Sequence, residues 1–174
     1  MRAVGFLNSL PIDEAESLFD VDLPAPKPEV NDLLVEIEAV SVNPADAKRR
    51  IRTAVDAPHE TPFILGYDAV GIVVECGANV TGFKPGDRVW YAGDANRPGS
   101  YASLQCVDHR IAAHAPKNVS PEAAASLPLV SLTAWEILFE RLQVPQGETP
   151  FSLLIIGGAG GVGSIDRKST RLNS

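Results

Sequence analysis

The sequence predicts a mixed α/β chain: a small barrel-like β domain followed by the opening of an α/β unit. Residues 1–120 are short apolar segments, some alternating with period two, separated by Gly- and Pro-rich turns. Many short strands at close spacing favour a barrel-like architecture. At Ser120 the apolar spacing becomes helical. FSLLII (151–156) then runs into GGAGGVGS (157–164). A strand feeding a glycine turn and then a helix is the arrangement that binds dinucleotide phosphates.

Taken in order, residues 2–6 read as a first strand. Residues 23–30 hold Pro24, Pro26 and Pro28 and read as an extended connector, because proline cannot donate to a ladder. In residues 32–42, Leu34, Glu36 and Glu38 alternate with Leu33, Val35, Ile37 and Ala39, the pattern of a strand with one buried face. Pro44 ends it by biasing Asn43 away from helical geometry. Residues 45–51 suit one or two helical turns, and 52–62 read as a loop. The apolar segment 63–75 is interrupted by Gly66 and Gly71, where bends or close backbone approach are expected. Lys84-Pro85-Gly86-Asp87 is a turn. Strands are expected over 88–92, 101–107 and 110–115, with a polar loop at 93–100.

Ser120-Pro121-Glu122 places an N-cap residue, a first-position proline and acidic charge at a helix start. That helix is expected to stop at Pro128, and a second spans 131–142. Trp135 is expected in the core. The change of character sits between residues 116 and 130. No internal repeat is visible.

The totals exclude several classes. The 174 residues carry 15 Lys and Arg against 22 Asp and Glu, a formal charge of -7. Nucleic acid and anionic membranes favour basic surfaces, so neither is the expected partner. Hydrophobic residues make up 45%, enough for a packed core. No uninterrupted apolar run reaches the roughly 18 residues a membrane span needs. Cys76 and Cys106 are too few for a disulfide scaffold and read as small core residues in a reducing, cytoplasmic protein.

The glycines have physical reasons. A tight turn needs positive φ, close approach to pyrophosphate excludes a side chain, and the third glycine lets helix pack on strand. The helix N-terminus adds unpaired N–H groups and a positive dipole end. No Gly-Lys-Ser/Thr follows, so a P-loop is excluded.

Five segments in register resemble the medium-chain dehydrogenase/reductase superfamily. They are DLLVEIEAVSVNPADAK (32–48), PFILGYDAVGIVVECGANV (62–80), FKPGDRVWYAGDANRPGSYA (83–102), AASLPLVSLTAWEIL (124–138) and LLIIGGAGGVGS (153–164). The group they resemble is the zinc-type alcohol dehydrogenase-like proteins near the quinone oxidoreductases. The resemblance implies a GroES-like β-barrel catalytic domain over 1–120. It implies the truncated start of an NAD(P)-binding Rossmann domain over 121–165. Family members are about twice as long. The polar run 166–174 stands where an apolar helix belongs and is expected to be a non-native tail, which makes this chain an expected inactive fragment.

The resemblance also implies site residues. Asn43 and Asp46 match the N-x-x-D element of zinc-free reductases. Asn43 would donate to a substrate carbonyl or cofactor ribose, or simply cap the following helix; Asp46 would serve the site or the helix start. Tyr67 and Asp68 follow Gly66 where zinc enzymes hold ligands. They would line a substrate pocket, or Asp68 would bond backbone. Tyr91 would line that pocket or pack in the core. Thr133 matches a position beside the nicotinamide, or back-bonds within its helix. Gly158, Gly160, Gly161, Val162 and Gly163 would hold the dinucleotide. No metal is expected: the segment Ser41 to Asp46 holds no Cys where zinc enzymes place one, Tyr67 and Asp68 stand at the His-Glu pair, and His59, His109 and His114 lack a ligand pattern.

The expected activity is hydride transfer from NAD(P)H, with NADPH the expected form, to a quinone, an α,β-unsaturated carbonyl or an aldehyde. The residue that selects the adenine ribose would lie roughly 20 residues beyond the glycine turn. The alternatives are a non-catalytic β-domain binding protein and a zinc-dependent alcohol dehydrogenase. A full-length relative is expected to dimerise through its cofactor domain; this chain is not.

Overall fold

The structure, a computed structural model, describes residues 1–54, 56–145 and 152–171. The chain divides into two compact units, Met1–Ser126 and Leu127–Ser174.

The first unit is built from two antiparallel sheets. β1 (Arg2–Phe6) lies between β2 (Phe19–Asp22) and β4 (Phe63–Ile64). The larger sheet has the order β7-β3-β5-β6-β8, with β3 Asp32–Val40, β5 Ala69–Cys76, β6 Arg88–Tyr91, β7 Leu104–Asp108 and β8 Ala112–His114. A 3₁₀ turn, His109–Ile111, precedes β8. β2 falls in a segment with no strand pattern; it forms because β1 supplies a ladder for it, Ala3 opposite Val21.

β3 is the central strand. Asp32 to Val35 are buried on both faces, whereas Glu36 and Glu38 are turned outward as the alternation requires. Leu33, Val35, Ala69, Val73, Val89, Tyr91 and Val107 form one core cluster. Each fully buried aliphatic side chain there stabilises the fold by roughly 1.5–3 kcal/mol. Gly71 is required by packing: a Cβ there would sit 2.2 Å from the Glu36 carbonyl oxygen. Opposite β5, β3 has register shifts at Leu34/Val35 and Ile37/Ala39. Such irregularities bend a strand and re-aim the residues after it. Here those residues are Ser41 to Asn43, which lead into α1 (Pro44–Arg52).

α2 (Pro121–Ala125) closes a second cluster, with Ala124 and Ala125 against Val70 and Ala115. Its N-cap is Ser120, whose Oγ accepts from the Ala123 N–H at 3.3 Å. Cys76 and Cys106 are half-buried free thiols on β5 and β7. Burial, then the charge of Asp32, pushes the Cys106 thiol up to about 11.

The second unit contains α3 (Pro128–Trp135), a π-helical turn (Glu136–Arg141) and α4 (Gly161–Arg171). Pro128 does end α2 at its C-cap region, but it also opens α3, where a first-position proline lacks nothing the helix needs. Two expectations about local structure are corrected here, those for the run before the glycine turn and for Trp135. Ser152 to Ile155 form no strand, because no ladder partner for them exists among the described residues; Leu154 is 86% exposed and Ile156 90%. Phe151 lies outside the described residues. The polar run from Asp166 to Arg171 is helical, continuing α4 from the glycine turn. Trp135 is 56% exposed, its ring tilted against that of Phe139, because Ala134 and Leu138 define the buried stripe one turn apart. The helical stretch Pro121–Arg141 also reaches the length of a membrane span, 21 residues whose most apolar 18-residue window has a mean hydropathy of 1.2. The expectation that no stretch qualifies fails by that measure of length and composition alone.

Candidate active site

The bend at the end of β3 brings together residues far apart in sequence. Asp68 is fully buried. One of its carboxylate oxygens accepts from the Ser41 hydroxyl at 2.7 Å and from the Asn43 side-chain amide at 2.8 Å. Asn43 Nδ2 also donates to Ser41 Oγ at 3.3 Å. The amide hydrogens of Asn43 are therefore directed at Asp68 and Ser41, and its orientation is set. The Ser100 hydroxyl donates to the Asp68 backbone carbonyl at 3.0 Å, securing the backbone that carries the carboxylate.

Asp46 sits in the first turn of α1. Its carboxylate accepts the Asn43 backbone N–H at 2.7 Å, and its own N–H donates to the Asn43 carbonyl at 2.9 Å. Acidic charge here also favours the helix dipole. One residue thus serves the helix start through its backbone N–H, bonded to Asp46, and holds Asp68 through its side-chain amide.

Tyr67 is half-buried next to Asp68. Gly66 before it has φ +110°, and a Cβ there would lie 2.4 Å from Ser100 Oγ and 2.7 Å from the Tyr101 ring. Only glycine satisfies both demands. Tyr91 stands apart. It is 2% exposed in the core cluster, and its hydroxyl donates to Gln105 Oε1 at 3.0 Å. Burial holds that phenol far above the ordinary tyrosine value. The sequence does not single out Ser41, Ser100 and Tyr101 as site residues, since isolated hydroxyls on strands and loops carry no spacing signal.

A groove of about 550 Å³ runs along this part of the first unit, lined by Val40, Val42, Ser100, Tyr101, Ala3 and Ile37 among others. Among the described residues, no three His, Cys, Asp or Glu side chains converge as metal ligands.

The glycine turn belongs to the second unit. Gly157 has φ +75°, and the Gly160 N–H donates to its carbonyl at 2.9 Å. Gly163 is sterically obligatory: a Cβ would lie 2.5 Å from the Gly157 oxygen. Gly158 and Gly160 differ. A Cβ would meet protein atoms there only at 3.7 and 3.4 Å, so the fold leaves that space clear. α4 begins at Gly161, and the first N–H donated inside the helix is that of Ser164, to Gly160. The N–H groups of Gly161, Val162 and Gly163 have no intrahelical acceptor. Clear space at two glycines beside unpaired N–H groups fits a phosphate. Thr133 back-bonds to the Leu129 carbonyl at 2.9 Å, so its proton is used while its oxygen still accepts.

Comparison with known proteins matches residues 29–117 to the alcohol dehydrogenase GroES-like domain. The chain is 43% identical over 168 residues to a zinc-type alcohol dehydrogenase-like protein of Staphylococcus aureus (strain MRSA252), covering 95% of this chain and 49% of that protein. It is 41% identical over 143 residues to the 2-methylene-furan-3-one reductase of Solanum lycopersicum, covering 76% of this chain and 35% of that one. Among solved structures, Escherichia coli quinone oxidoreductase complexed with NADPH superposes with a TM-score of 0.76 at 27% identity, over 99% of this chain and 50% of that one. The chain spans about half the length of the first relative and of the solved enzyme.

Proposed function

The chain belongs to the alcohol dehydrogenase GroES-like domain family, within the medium-chain dehydrogenase/reductase superfamily, and from that premise we propose that it serves NADPH-dependent reduction of quinones or α,β-unsaturated carbonyls without a zinc ion. The observation that carries this reading is the Ser41–Asn43–Asp68 cluster. It occupies, with a hydroxyl and an amide, a place where a Lewis-acid site would need about three Cys, His or carboxylate ligands. The name of the Staphylococcus relative is zinc-type, but the donor set in this chain does not fit that ion.

A bound nicotinamide dinucleotide would supply the hydride. Its pyrophosphate would rest on the N–H groups of Gly161, Val162 and Gly163, in the space left by Gly158 and Gly160. Thr133 would present its hydroxyl oxygen near the nicotinamide. Asn43, fixed by Asp68 and Ser41, would turn its carbonyl oxygen to the substrate. Tyr67 would donate to the oxygen on which negative charge develops. A preorganised donor of this kind contributes roughly 3 kcal/mol of transition-state stabilisation. Asp46 sets the backbone of Asn43. The tomato relative's substrate name describes an exocyclic enone, the electronic pattern such a donor suits. Cytoplasmic location and a small-molecule partner go with this reading.

The test is fluorescence titration of the 174-residue protein with NADPH and NADH, with zinc counted in the same sample. Saturation at roughly micromolar NADPH is expected, weakened at least about tenfold in Gly163→Ala, where the new Cβ collides with Gly157. Binding indifferent to Gly163→Ala, or one zinc per chain, would overturn the proposal.

A further inference from the structure

Tyr91 stands apart from the candidate site, yet a line of hydrogen bonds leads from it to Asp68. The Tyr91 hydroxyl donates to Gln105 Oε1 at 3.0 Å, and Gln105 Nε2 donates to the Pro98 carbonyl at 3.0 Å. Both side chains are buried. In the order β7-β3-β5-β6 their strands are three places apart, about 14 Å in a flat sheet, so the bond closes across the interior of a curled one. The amide has one orientation. A carbonyl can only accept, so Pro98 takes the amide N–H, the amide oxygen faces Tyr91, and the phenol donates. Beyond Pro98 the chain runs onto the segment that carries Asp68. The N–H groups of Gly99 and Ser100 donate to the Ile64 and Gly66 carbonyls at 2.9 and 3.1 Å, and the Ser100 hydroxyl donates to the Asp68 carbonyl. A Cβ at Gly99 would lie 2.2 Å from the Leu65 oxygen, so the two backbones are in direct contact.

We infer that Gln105 is a positioning residue: held by Tyr91, it fixes the Pro98 carbonyl, and through Pro98 to Ser100 it fixes the backbone of Asp68, whose carboxylate orients the Asn43 amide. This rests on the reading of Asn43 and Asp68 as site residues. It makes Tyr91 an anchor of the site rather than part of its lining. The same loop is gripped one residue earlier, where Arg97 bonds Asp32 at 2.8 and 2.6 Å. That grip is charged, whereas the grip on Pro98 is neutral and buried. Burial keeps the Tyr91 phenol protonated, and so a donor, throughout the working pH range.

The experiment is hydrogen exchange by NMR on the full 174-residue chain, comparing wild type with the double variant Tyr91→Phe/Gln105→Leu. Replacing both partners by apolar groups of similar shape strands no buried side-chain donor, so the core is kept while the tie to Pro98 is cut. The N–H groups of Gly99 and Ser100 and the side-chain amide of Asn43 are expected to exchange about tenfold faster, the factor for one lost hydrogen bond. The N–H groups of Val73 and Ala115, bonded to the Asp87 and Arg88 carbonyls elsewhere in the sheet, are expected to stay unchanged. Acceleration shared equally with Val73 and Ala115 would make Tyr91 and Gln105 ordinary core packing. Acceleration at Gly99 and Ser100 with an unmoved Asn43 amide would end the relay at the loop. Either result overturns the inference, as does no change at all. Should the double variant not fold, Tyr91→Phe alone is expected to give the same order of effects at about threefold, and uniform protection there overturns the inference. None of these readouts uses a cofactor, so a failed NADPH titration and a failed positioning role are separate results.

Discussion

The two units treat similar apolar material differently. In the first, nearly every apolar segment becomes a strand because an antiparallel neighbour lies within the same 126 residues: β3 finds β5 and β7, and β1 finds β2 and β4. In the second, Leu153 to Ile156 are at least as apolar as β3, yet they pair with nothing among the described residues and leave Leu154 and Ile156 in solvent. A strand is a relation between two segments, so β-propensity without a ladder partner remains unrealised. Leu132, Trp135 and Leu142 show the same imbalance on the helical side, each more than half exposed.

The largest expected effect lies at the centre of the first sheet. Leu33→Ala removes a fully buried side chain from the core cluster and is expected to cost about 3 kcal/mol, read as a fall in the urea midpoint. A loss under about 1 kcal/mol would mean that this unit is as loosely packed as the second.

Arg97→Leu comes next. Arg97 grips Asp32 with two hydrogen bonds, at 2.8 and 2.6 Å, and Asp32 is 2% exposed. Stranding that carboxylate is expected to cost about 3 kcal/mol. The sign in acid follows from the same pair. The Arg97 hydrogen bonds hold Asp32 below the ordinary carboxylate value, so as pH falls the unfolded chain takes up its proton first, near about pH 4. The stability contributed is complete above that pH and is lost as pH falls through the lowered folded value. In Arg97→Leu that contribution is gone, so the variant's deficit relative to wild type is expected to shrink as pH falls. Urea midpoints between about pH 5 and pH 2 check this, and a deficit that stays constant over that range would refute it.

The smallest expected effect lies in the second unit. Leu154→Ser is expected to leave the stability within about 0.5 kcal/mol of wild type, because so exposed a side chain contributes no burial. A loss comparable to Leu33→Ala would show the segment buried against something in solution.

Particular residues mark where sequence stopped being enough. The alternation through β3, the turn at Lys84 to Asp87, the Ser120 cap and the glycine turn are local patterns, and each appears where its chemistry places it. The site is only half legible. Asn43, Asp46, Tyr67 and Asp68 stand out through the motifs they sit in, whereas Ser41, Ser100 and Tyr101 join them solely because two strand irregularities and Gly66 turn the backbone. Tyr91 and Trp135 show the reverse. A phenol in a strand lies deep in the core, and an indole at helical spacing lies in solvent.

Sequence alone settled the β unit, its helix caps and the glycine turn, because hydrophobic period, capping and glycine sterics act over a few residues. Tertiary structure alone decided which strands pair, which carboxylate holds the Asn43 amide, and that the apolar run before the glycine turn forms no strand. Those outcomes depend on partners distant in sequence, and no local pattern encodes whether a partner is within reach.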